Sequence, residues 1–250
     1  DQARLYDNDI HTVKVLAVAD LDHLRSRLEY WPFDKVLRIY NQAQALVSGE
    51  PKILKKGEFP QVENEIYFDV ESDPTETIDY LLGILVRHSN GKSEYKRFLA
   101  KDKNEEGKNW REFLDFLESL DDFVIYHYSY YEREVFGRLA QKYGISRALE
   151  DKFKNNTIDL HLAVVESVVL PLYFYSLKDV AQYLGFKWSA EDAGGAESVV
   201  WYNEWLETGD QKIMDKIIKY NEDDVQATLY VKEWLEKQKP RVSREKLPEE

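Results

Sequence analysis

The sequence predicts an α/β chain in which a mixed sheet is flanked by helices and preceded by a small all-helical segment. Two observations indicate this class. Residues 1–48 carry apolar side chains at helical spacing, whereas residues 65–99 carry strand-like apolar runs interrupted by Asn90-Gly91, a strong hairpin signal. A hydrophobic content of 43% is enough for a sizeable core, and the chain has no apolar run long enough to span a membrane.

The N-terminal segment is predicted to be helical as far as Ser48, because Gly49 and Pro51 follow it. Residues 49–63 contain further glycine and proline and are predicted to be a linker. Two apolar stripes define the helices, one formed by Val13, Leu16, Ala17, Leu21, Leu24 and Leu28 and the other by Val36, Ile39, Tyr40, Ala43 and Leu46.

The sheet elements are predicted next along the chain. Strands are expected at 65–71, at about 77–88 and at about 93–99, followed by an amphipathic helix over 110–120 and a fourth strand at 122–128. The crossover helix would return the fourth strand parallel to the first and beside it. We therefore expect a helical segment with its linker at 1–60, one α/β domain at 61–240 and a frayed tail at 241–250.

The first strand carries a candidate metal site. Asp69 and Glu71 are two residues apart, so both side chains point to one face of the strand, with Tyr67. We expect Phe68 and Val70 to enter the core and the other three side chains to face outwards. Two carboxylates on one patch suit a hard cation such as Mg²⁺ or Mn²⁺, although an ordinary exposed strand face is the alternative.

Two further segments carry acids at informative spacing. Tyr220 and Asp224 are four residues apart in a helical pattern, so a phenol and a carboxylate share one helix face. Glu132 lies in the first turn of a helix that follows the fourth strand. The alternatives are a solvated acidic helix end for the first pair and a favourable helix-dipole contact for Glu132.

Taken in order, the three segments resemble the motifs of the DnaQ-like 3′–5′ exonucleases of the RNase H-like superfamily, in the subclass that uses tyrosine. The Asp-x-Glu motif is matched by Asp69 and Glu71, and the Tyr-x-x-x-Asp motif by Tyr220 and Asp224. Residues 127–132, His-Tyr-Ser-Tyr-Tyr-Glu, run in register with the second motif, His-Asn-x-x-Phe-Asp. The predicted element order is the one that the RNase H-like fold requires.

The second motif departs from the family at two positions. Glu132 stands where the family usually has aspartate, and Tyr128 stands where it usually has asparagine. Glutamate offers the same charge and ligand atoms, so Glu132 is still expected to be a ligand. Glu134 is the alternative if the register is shifted.

The resemblance narrows to the RNase H-like module of predicted RecB-family nucleases. It covers roughly residues 61–238, through residues 127–132, Asp159-Leu160, residues 175–180 and residues 220–225. In those proteins the module follows a helical segment and lies among other nuclease or helicase domains. The resemblance therefore implies a longer multidomain chain. Residues 9–17 resemble the preceding helix-hairpin-helix-like segment but lack its hairpin glycine, which favours a helical spacer over a DNA-gripping element.

The resemblance implies a metal-dependent 3′–5′ exonuclease. Two ions of Mg²⁺ or Mn²⁺, roughly 3.5–4 Å apart, would be held by Asp69, Glu71, Glu132 and Asp224. Tyr220 would orient or deprotonate the attacking water.

The resemblance also implies substrate contacts. Ser72 and His127 would lie beside the terminal nucleotide, and Tyr128 would stack on its base. The partner would be nucleic acid, with single-stranded DNA favoured and RNA possible, because no contact to a 2′-hydroxyl can be located.

Composition limits the setting without identifying the function. Zero cysteines exclude disulfides and thiolate metal sites and fit a cytoplasmic protein. The net charge of −13 is unusual for a nucleic-acid enzyme, and residues 1–60 are balanced, so the acidic excess lies in residues 61–250. Six basic residues after the second motif could face phosphates or belong to a solvated helix and loop: Arg133, Arg138, Lys142, Arg147, Lys152 and Lys154.

Two other functions remain open at this point. A catalytically weak module could hold a nucleic-acid end for a neighbouring nuclease or helicase, although unused buried acids would destabilise it. A structure-specific endonuclease on the same scaffold is the second alternative.

Overall fold

The computed structural model describes residues 2–75, 77–189 and 195–239, so the tail predicted at 241–250 lies outside the described residues. The strands, in chain order, are β1 (Lys52–Ile53), β2 (Asn64–Asp73), β3 (Ile78–His88), β4 (Ser93–Leu99), β5 (Phe123–His127), β6 (Thr157–Asp159) and β7 (Val168–Val169). The helices are α1 (Gln2–Tyr6), α2 (Val13–Val18), α3 (Leu21–Arg27), α4 (Phe33–Ser48), α5 (Glu106–Glu118), α6 (Tyr131–Tyr143), α7 (Arg147–Asn155), α8 (Leu160–Ser167), α9 (Leu177–Leu184), α10 (Gly195–Thr208) and α11 (Gln211–Lys237).

Two compact units make up the chain. The helical unit comprises Asp1–Gly57, Ala163–Tyr175 and Leu235–Glu250. The sheet unit comprises Glu58–Leu162 and Ser176–Trp234.

The helical unit contains the predicted N-terminal helices, with a break between α2 and α3. The first apolar stripe is divided between α2 and α3, because Asp20 accepts the His23 N–H at 2.7 Å and begins a new helix. Helix α4 ends at Ser48, where Gly49 adopts a left-handed φ of 74°, as the glycine signal predicted. Within the predicted linker, Lys52 and Ile53 form β1, which pairs antiparallel with β7.

The sheet unit contains the predicted mixed sheet. Its strand order is β4-β3-β2-β5-β6. Strands β2, β3 and β4 are antiparallel neighbours, whereas β5 pairs parallel with both β2 and β6. The crossover through α5 therefore places β5 beside β2, which confirms the expected α/β topology. Strand β6 has three residues and was not predicted.

The two faces of β2 are both covered. Phe68 and Val70 enter the predicted core, where Phe68 stacks on Phe113 of α5 with ring centroids 5.2 Å apart. The expectation that Tyr67 and Glu71 face outwards was wrong, because both are buried on the opposite face, where α10 and α11 contact the strand. Within the described ranges, no helix combines the length and the hydropathy that crossing a bilayer requires.

Candidate metal centre

Three carboxylates converge where α11 crosses β2. Asp69 and Glu71 project from one face of β2, and Asp224 projects from α11. One oxygen from each of the three lies within 4.8 Å of the others. The structure therefore brings together acids that are more than 150 positions apart in the sequence. We call Asp69, Glu71 and Asp224 the acidic triad.

Burial makes the charged forms of these acids costly. It raises the pKa of Glu71 to about 8 and that of Asp224 to about 7, with mutual repulsion adding to the rise at Glu71. It also raises the pKa of Asp69 well above its usual value, and the nearby charges of Asp224 and Glu71 add to that rise. A cation between the three groups would remove the repulsion and favour their ionised forms.

The hydrogen-bond donors to the triad are neutral. The Asn221 side-chain amide donates to Asp69 Oδ2 at 2.7 Å, and the Trp188 indole N–H donates to Asp224 Oδ1 at 2.7 Å. The hydrogen bonds to Asp224 and the positive charge of Lys178 lower the pKa of this carboxyl, but burial outweighs them and the pKa stays raised. Converging carboxylate oxygens whose pKa values remain raised fit a divalent cation such as Mg²⁺ or Mn²⁺.

Asn221 is a site residue that the motif analysis missed. It is fully buried. Its Oδ1 accepts a hydrogen bond from the Tyr95 hydroxyl at 2.8 Å, and its Nδ2 donates a hydrogen bond to Asp69. The position opposite Asp69 on β3 is Gly83, and a Cβ there would lie 1.5 Å from Asn221 Oδ1. The glycine therefore leaves the space that this amide occupies. Its only sequence signal was its place directly after Tyr220.

The segment after α9 contacts two consecutive acids of α11. Trp188 is buried and donates to Asp224, while Ser189 donates to Asp223 Oδ2 through its backbone N–H at 2.7 Å. The Trp188 ring also packs edge-on against Phe186, with centroids 4.9 Å apart. These contacts fix the rotation of α11 about its axis at Asp224. No short motif in the sequence marks them.

Tyr220 lies one helical turn before Asp224, as predicted. Its side chain is buried, and its hydroxyl donates a hydrogen bond to the Asp224 carboxylate. Burial and the neighbouring acids raise the pKa of this phenol. Tyr220 therefore carries its proton at neutral pH when no cation is bound, and it presents a hydroxyl to the triad.

Glu132 lies beside the acidic triad but outside the group of three. It is buried in the first turn of α6, whereas Glu134 is exposed. The Glu132 charge contributes to the raised pKa of Asp69, and burial raises the pKa of Glu132 itself. His127 Nδ1 lies 3.7 Å from Glu132 Oε2, and that oxygen and both ring nitrogens lack a hydrogen-bond partner among the described residues. Buried polar atoms of this kind usually have a hydrogen-bond partner, so these three atoms suit contact with an ion or a water molecule.

A comparison with protein families agrees with this geometry. A family model of the RNase H superfamily matches residues 66–236, more than half of the chain. The chain belongs to the RNase H superfamily. No curated protein and no solved structure gave a significant match.

Membership of the RNase H superfamily confirms the predicted fold and the coarse function. It implies nucleic-acid binding and suggests hydrolysis of phosphodiester bonds. The acidic triad of this RNase H superfamily domain could bind a divalent metal ion.

The three predicted substrate contacts have different surroundings. Ser72 follows the triad on β2, donates to Asp79 Oδ1 at 2.6 Å and lines a cavity of about 330 Å³. Tyr128 is half-buried and packs edge-on against His161, with centroids 5.6 Å apart. His127 is buried, and its Nδ1 lies 3.7 Å from Glu132 Oε2.

The basic residues after the second motif are mostly engaged within the protein. Arg138 pairs with Asp79, and Lys142 pairs with Glu106. The other engaged residues are Arg147 with Asp151, Lys154 with Glu150 and Lys152 with the carbonyl oxygens of Leu120 and Asp121. Contacts within the protein therefore involve five of the six basic residues.

Proposed function

We propose that this RNase H superfamily domain is a divalent-metal-dependent 3′–5′ exonuclease that hydrolyses phosphodiester bonds at single-stranded nucleic-acid ends. The convergence of the acidic triad with the Tyr220 hydroxyl carries the proposal. The order of Asp-x-Glu, the second motif and Tyr-x-x-x-Asp supports the DnaQ-like, tyrosine-containing type, and the surrounding segments support the RecB-family module. Single-stranded DNA is the favoured substrate and RNA the second.

The residues present fit two ions of Mg²⁺ or Mn²⁺. Bound ions would supply Lewis-acid stabilisation of the charge that develops on the phosphate oxygens. Asp69, Glu71 and Asp224 would hold them, and Glu132 would complete the ligand set because its Oε2 is buried without a partner among the described residues. Asn221 and Trp188 would hold the orientation of the carboxylates by binding one oxygen of Asp69 and one of Asp224.

Tyr220 would position the attacking water. Its hydroxyl is fixed by Asp224, and its ring packs edge-on against Trp201 with centroids 6.3 Å apart, so the oxygen has a defined place. A nearby cation would lower its pKa, which the acids raise in the absence of metal. The phenol would then also be able to accept the proton of that water.

Ser72, His127 and Tyr128 are proposed to contact the substrate. Ser72 directly follows Glu71 on β2, which supports a place beside the terminal sugar. Tyr128 is half-buried beside His127, which supports a role in stacking on a base. His127 would act at the substrate only together with Glu132, its neighbour at 3.7 Å.

The domain limits of the proposal follow the sequence. Residues 61–240 would carry the nuclease, residues 1–60 would serve as a helical spacer with its linker, and the whole would be part of a longer multidomain nuclease or helicase chain. The family match over residues 66–236 supports the assignment of the nuclease to the larger segment.

Cleavage of end-labelled strands tests the proposal. A single strand labelled at its 5′ end, the same strand labelled at its 3′ end and a hairpin with sealed ends are incubated with Mn²⁺ and the protein. We expect a ladder of shortened products from the 5′-labelled strand, immediate release of labelled mononucleotide from the 3′-labelled strand and no cutting of the hairpin. Asp69→Asn should abolish the reaction, and Glu134→Gln, an exposed change on α6, should retain it.

The other outcomes distinguish the alternatives. Internal cuts in the hairpin would indicate an endonuclease, and retention of the strand without cutting would indicate a binding module. Shortening from the 5′ end would contradict the proposed polarity.

A further inference from the structure

A second group of buried acids lies on the α5 and α6 side of β2. Asp79 on β3 and Glu106 on α5 are almost fully buried and are not part of the acidic triad. Each pairs with a cation of α6: Arg138 with Asp79 and Lys142 with Glu106. Because Arg138 and Lys142 are four residues apart, both cations lie on one face of the helix.

The Asp79 pair has a geometry that lysine could not reproduce. Arg138 Nη2 lies 2.7 Å from Asp79 Oδ1, and Arg138 Nε lies 3.3 Å from Asp79 Oδ2. Such a two-point contact fixes the orientation of the guanidinium as well as its distance. The Asp79 side chain is only 4% exposed, whereas that of Arg138 is 46% exposed.

Asp79 also contacts the residue that follows the triad on β2. The Ser72 hydroxyl donates to Asp79 Oδ1 at 2.6 Å. Ser72 and Asp79 are register partners, and the pairing of β2 with β3 shifts between Glu71 and Ser72. A shift of this kind changes the direction of the neighbouring side chains. Asp79 therefore holds the strand directly after Glu71.

The same carboxylate thus contacts two elements that carry candidate ligands. Through Ser72 it fixes the end of the strand that presents Glu71, and through Arg138 it fixes the helix that presents Glu132. Glu106 supports Asp79 from a third side, because its Oε1 accepts the Asp79 backbone N–H at 2.8 Å.

We propose that Arg138, through Asp79 and Ser72, is a positioning residue that sets the distance between Glu71 and Glu132 and thereby the metal affinity of the site. The inference rests on the proposed function, since it assumes that both glutamates serve the metal centre. Arg138 contacts the Asp79 carboxylate at two points, and its guanidinium also hydrogen-bonds to Tyr131 beside Glu132 on α6.

Metal-dependent stabilisation measures this role without an activity assay. The melting temperature is followed as Mn²⁺ is titrated into wild type, Arg138→Lys, Ser72→Ala and Lys142→Met, each also melted in EDTA. Lys142→Met is the matched control, because Lys142 lies on the same face of α6 but its partner Glu106 contacts only the backbone N–H of Asp79 and not the carboxylate that binds Ser72 and Arg138.

The midpoint is defined as the Mn²⁺ concentration that gives half of the rise in melting temperature seen for wild type at the highest Mn²⁺ concentration used. We expect Arg138→Lys to raise it, by less than the about 10–100-fold typical of direct contacts to metal ligands, because Arg138 acts through Asp79 and Ser72. Ser72→Ala should raise it in the same direction, and the double variant should fall short of the product of the two effects, because both changes act on one chain of contacts. Lys142→Met should lower the melting temperature in EDTA and leave the midpoint unchanged.

The outcomes separate this inference from the proposed function. A wild-type protein that gains no stability from Mn²⁺ would overturn both. If Mn²⁺ stabilises the wild-type protein but Arg138→Lys and Lys142→Met have the same Mn²⁺ midpoint, the positioning role alone is overturned. If Arg138→Lys does not fold, the Ser72→Ala midpoint decides, since that change removes only a hydroxyl.

Discussion

Replacing Gly83 by alanine should damage the site from the neighbouring strand. The added Cβ would lie 1.5 Å from Asn221 Oδ1 and 2.6 Å from its Cγ, so the amide must leave its place. Asn221 would then lose its hydrogen bonds with Tyr95 and Asp69. The backbone itself tolerates alanine, because Gly83 is not among the glycines with positive φ.

The expected loss of stability follows from these contacts. Overpacking costs about 1–3 kcal/mol, and two lost hydrogen bonds cost about 1 kcal/mol each. Removing the flexibility of glycine from the unfolded chain returns up to about 1 kcal/mol. The free energy of unfolding should therefore fall by about 2–4 kcal/mol, which lowers the melting temperature by about 4–16 °C in a chain of this size.

Thermal unfolding followed by circular dichroism in EDTA measures this effect. Gly137→Ala is the control, because a Cβ at that exposed position of α6 meets nothing within 4 Å and should be neutral or stabilising. Asn221→Ala alone removes the same two hydrogen bonds. The double variant Gly83→Ala/Asn221→Ala should be more stable than the sum of the single effects predicts, because the clash is gone.

Two results would refute this reasoning. If Gly83→Ala has the same melting temperature as wild type, Asn221 does not occupy the space above the glycine. Additive effects in the double variant would mean that the loss comes from the strand rather than from the amide.

Three further predictions concern the candidate site. In EDTA, the free energy of unfolding should fall as the pH rises from about 4 to about 8. The folded protein keeps protons on Glu71 and Asp224, whose pKa values are about 8 and about 7, whereas the unfolded chain loses these protons at lower pH. Urea titrations across this range measure the effect, and a rise in stability would contradict it. Tyr220→Phe should lower the cleavage rate by about 10²–10⁴-fold while Mn²⁺ still raises the melting temperature, and single-turnover kinetics with thermal shifts separate the two effects. Glu132→Gln should reduce cleavage far more than Glu134→Gln in a parallel rate assay, and the reverse order would move the ligand assignment to Glu134.

Local patterns account for most of the predicted fold. Strand alternation indicated β2, β3 and β4, and the Asn90-Gly91 turn indicated the antiparallel pairing of β3 with β4. The crossover rule then placed β5 beside β2. Strands β1, β6 and β7 have only two or three residues, so they carry no periodic signal and depend on partners elsewhere in the chain.

The acids of the site were visible in the sequence, but their surroundings were not. Alternation correctly placed Asp69 and Glu71 on one face, yet it could not show that this face would be covered by α10 and α11, which come much later in the chain. Trp188 and Asn221 contact triad carboxylates only because α11 and the segment after α9 meet at β2. Contacts of this kind depend on tertiary packing, and no local spacing rule describes them.

The helical unit is not a continuous piece of the sequence, and this limits how the protein can be divided. Its second segment, Ala163–Tyr175, is reached only after the chain has passed through the sheet. Within this unit the Gln42 amide donates to the carbonyl oxygens of Leu170 and Leu172, and the Tyr175 hydroxyl donates to Gln42 Oε1. A chain shortened to begin near residue 60 would keep these later residues and lose their partner. Removing the N-terminal helices should therefore destabilise the protein rather than separate two independent domains, and a truncation near residue 60 is not a suitable domain boundary.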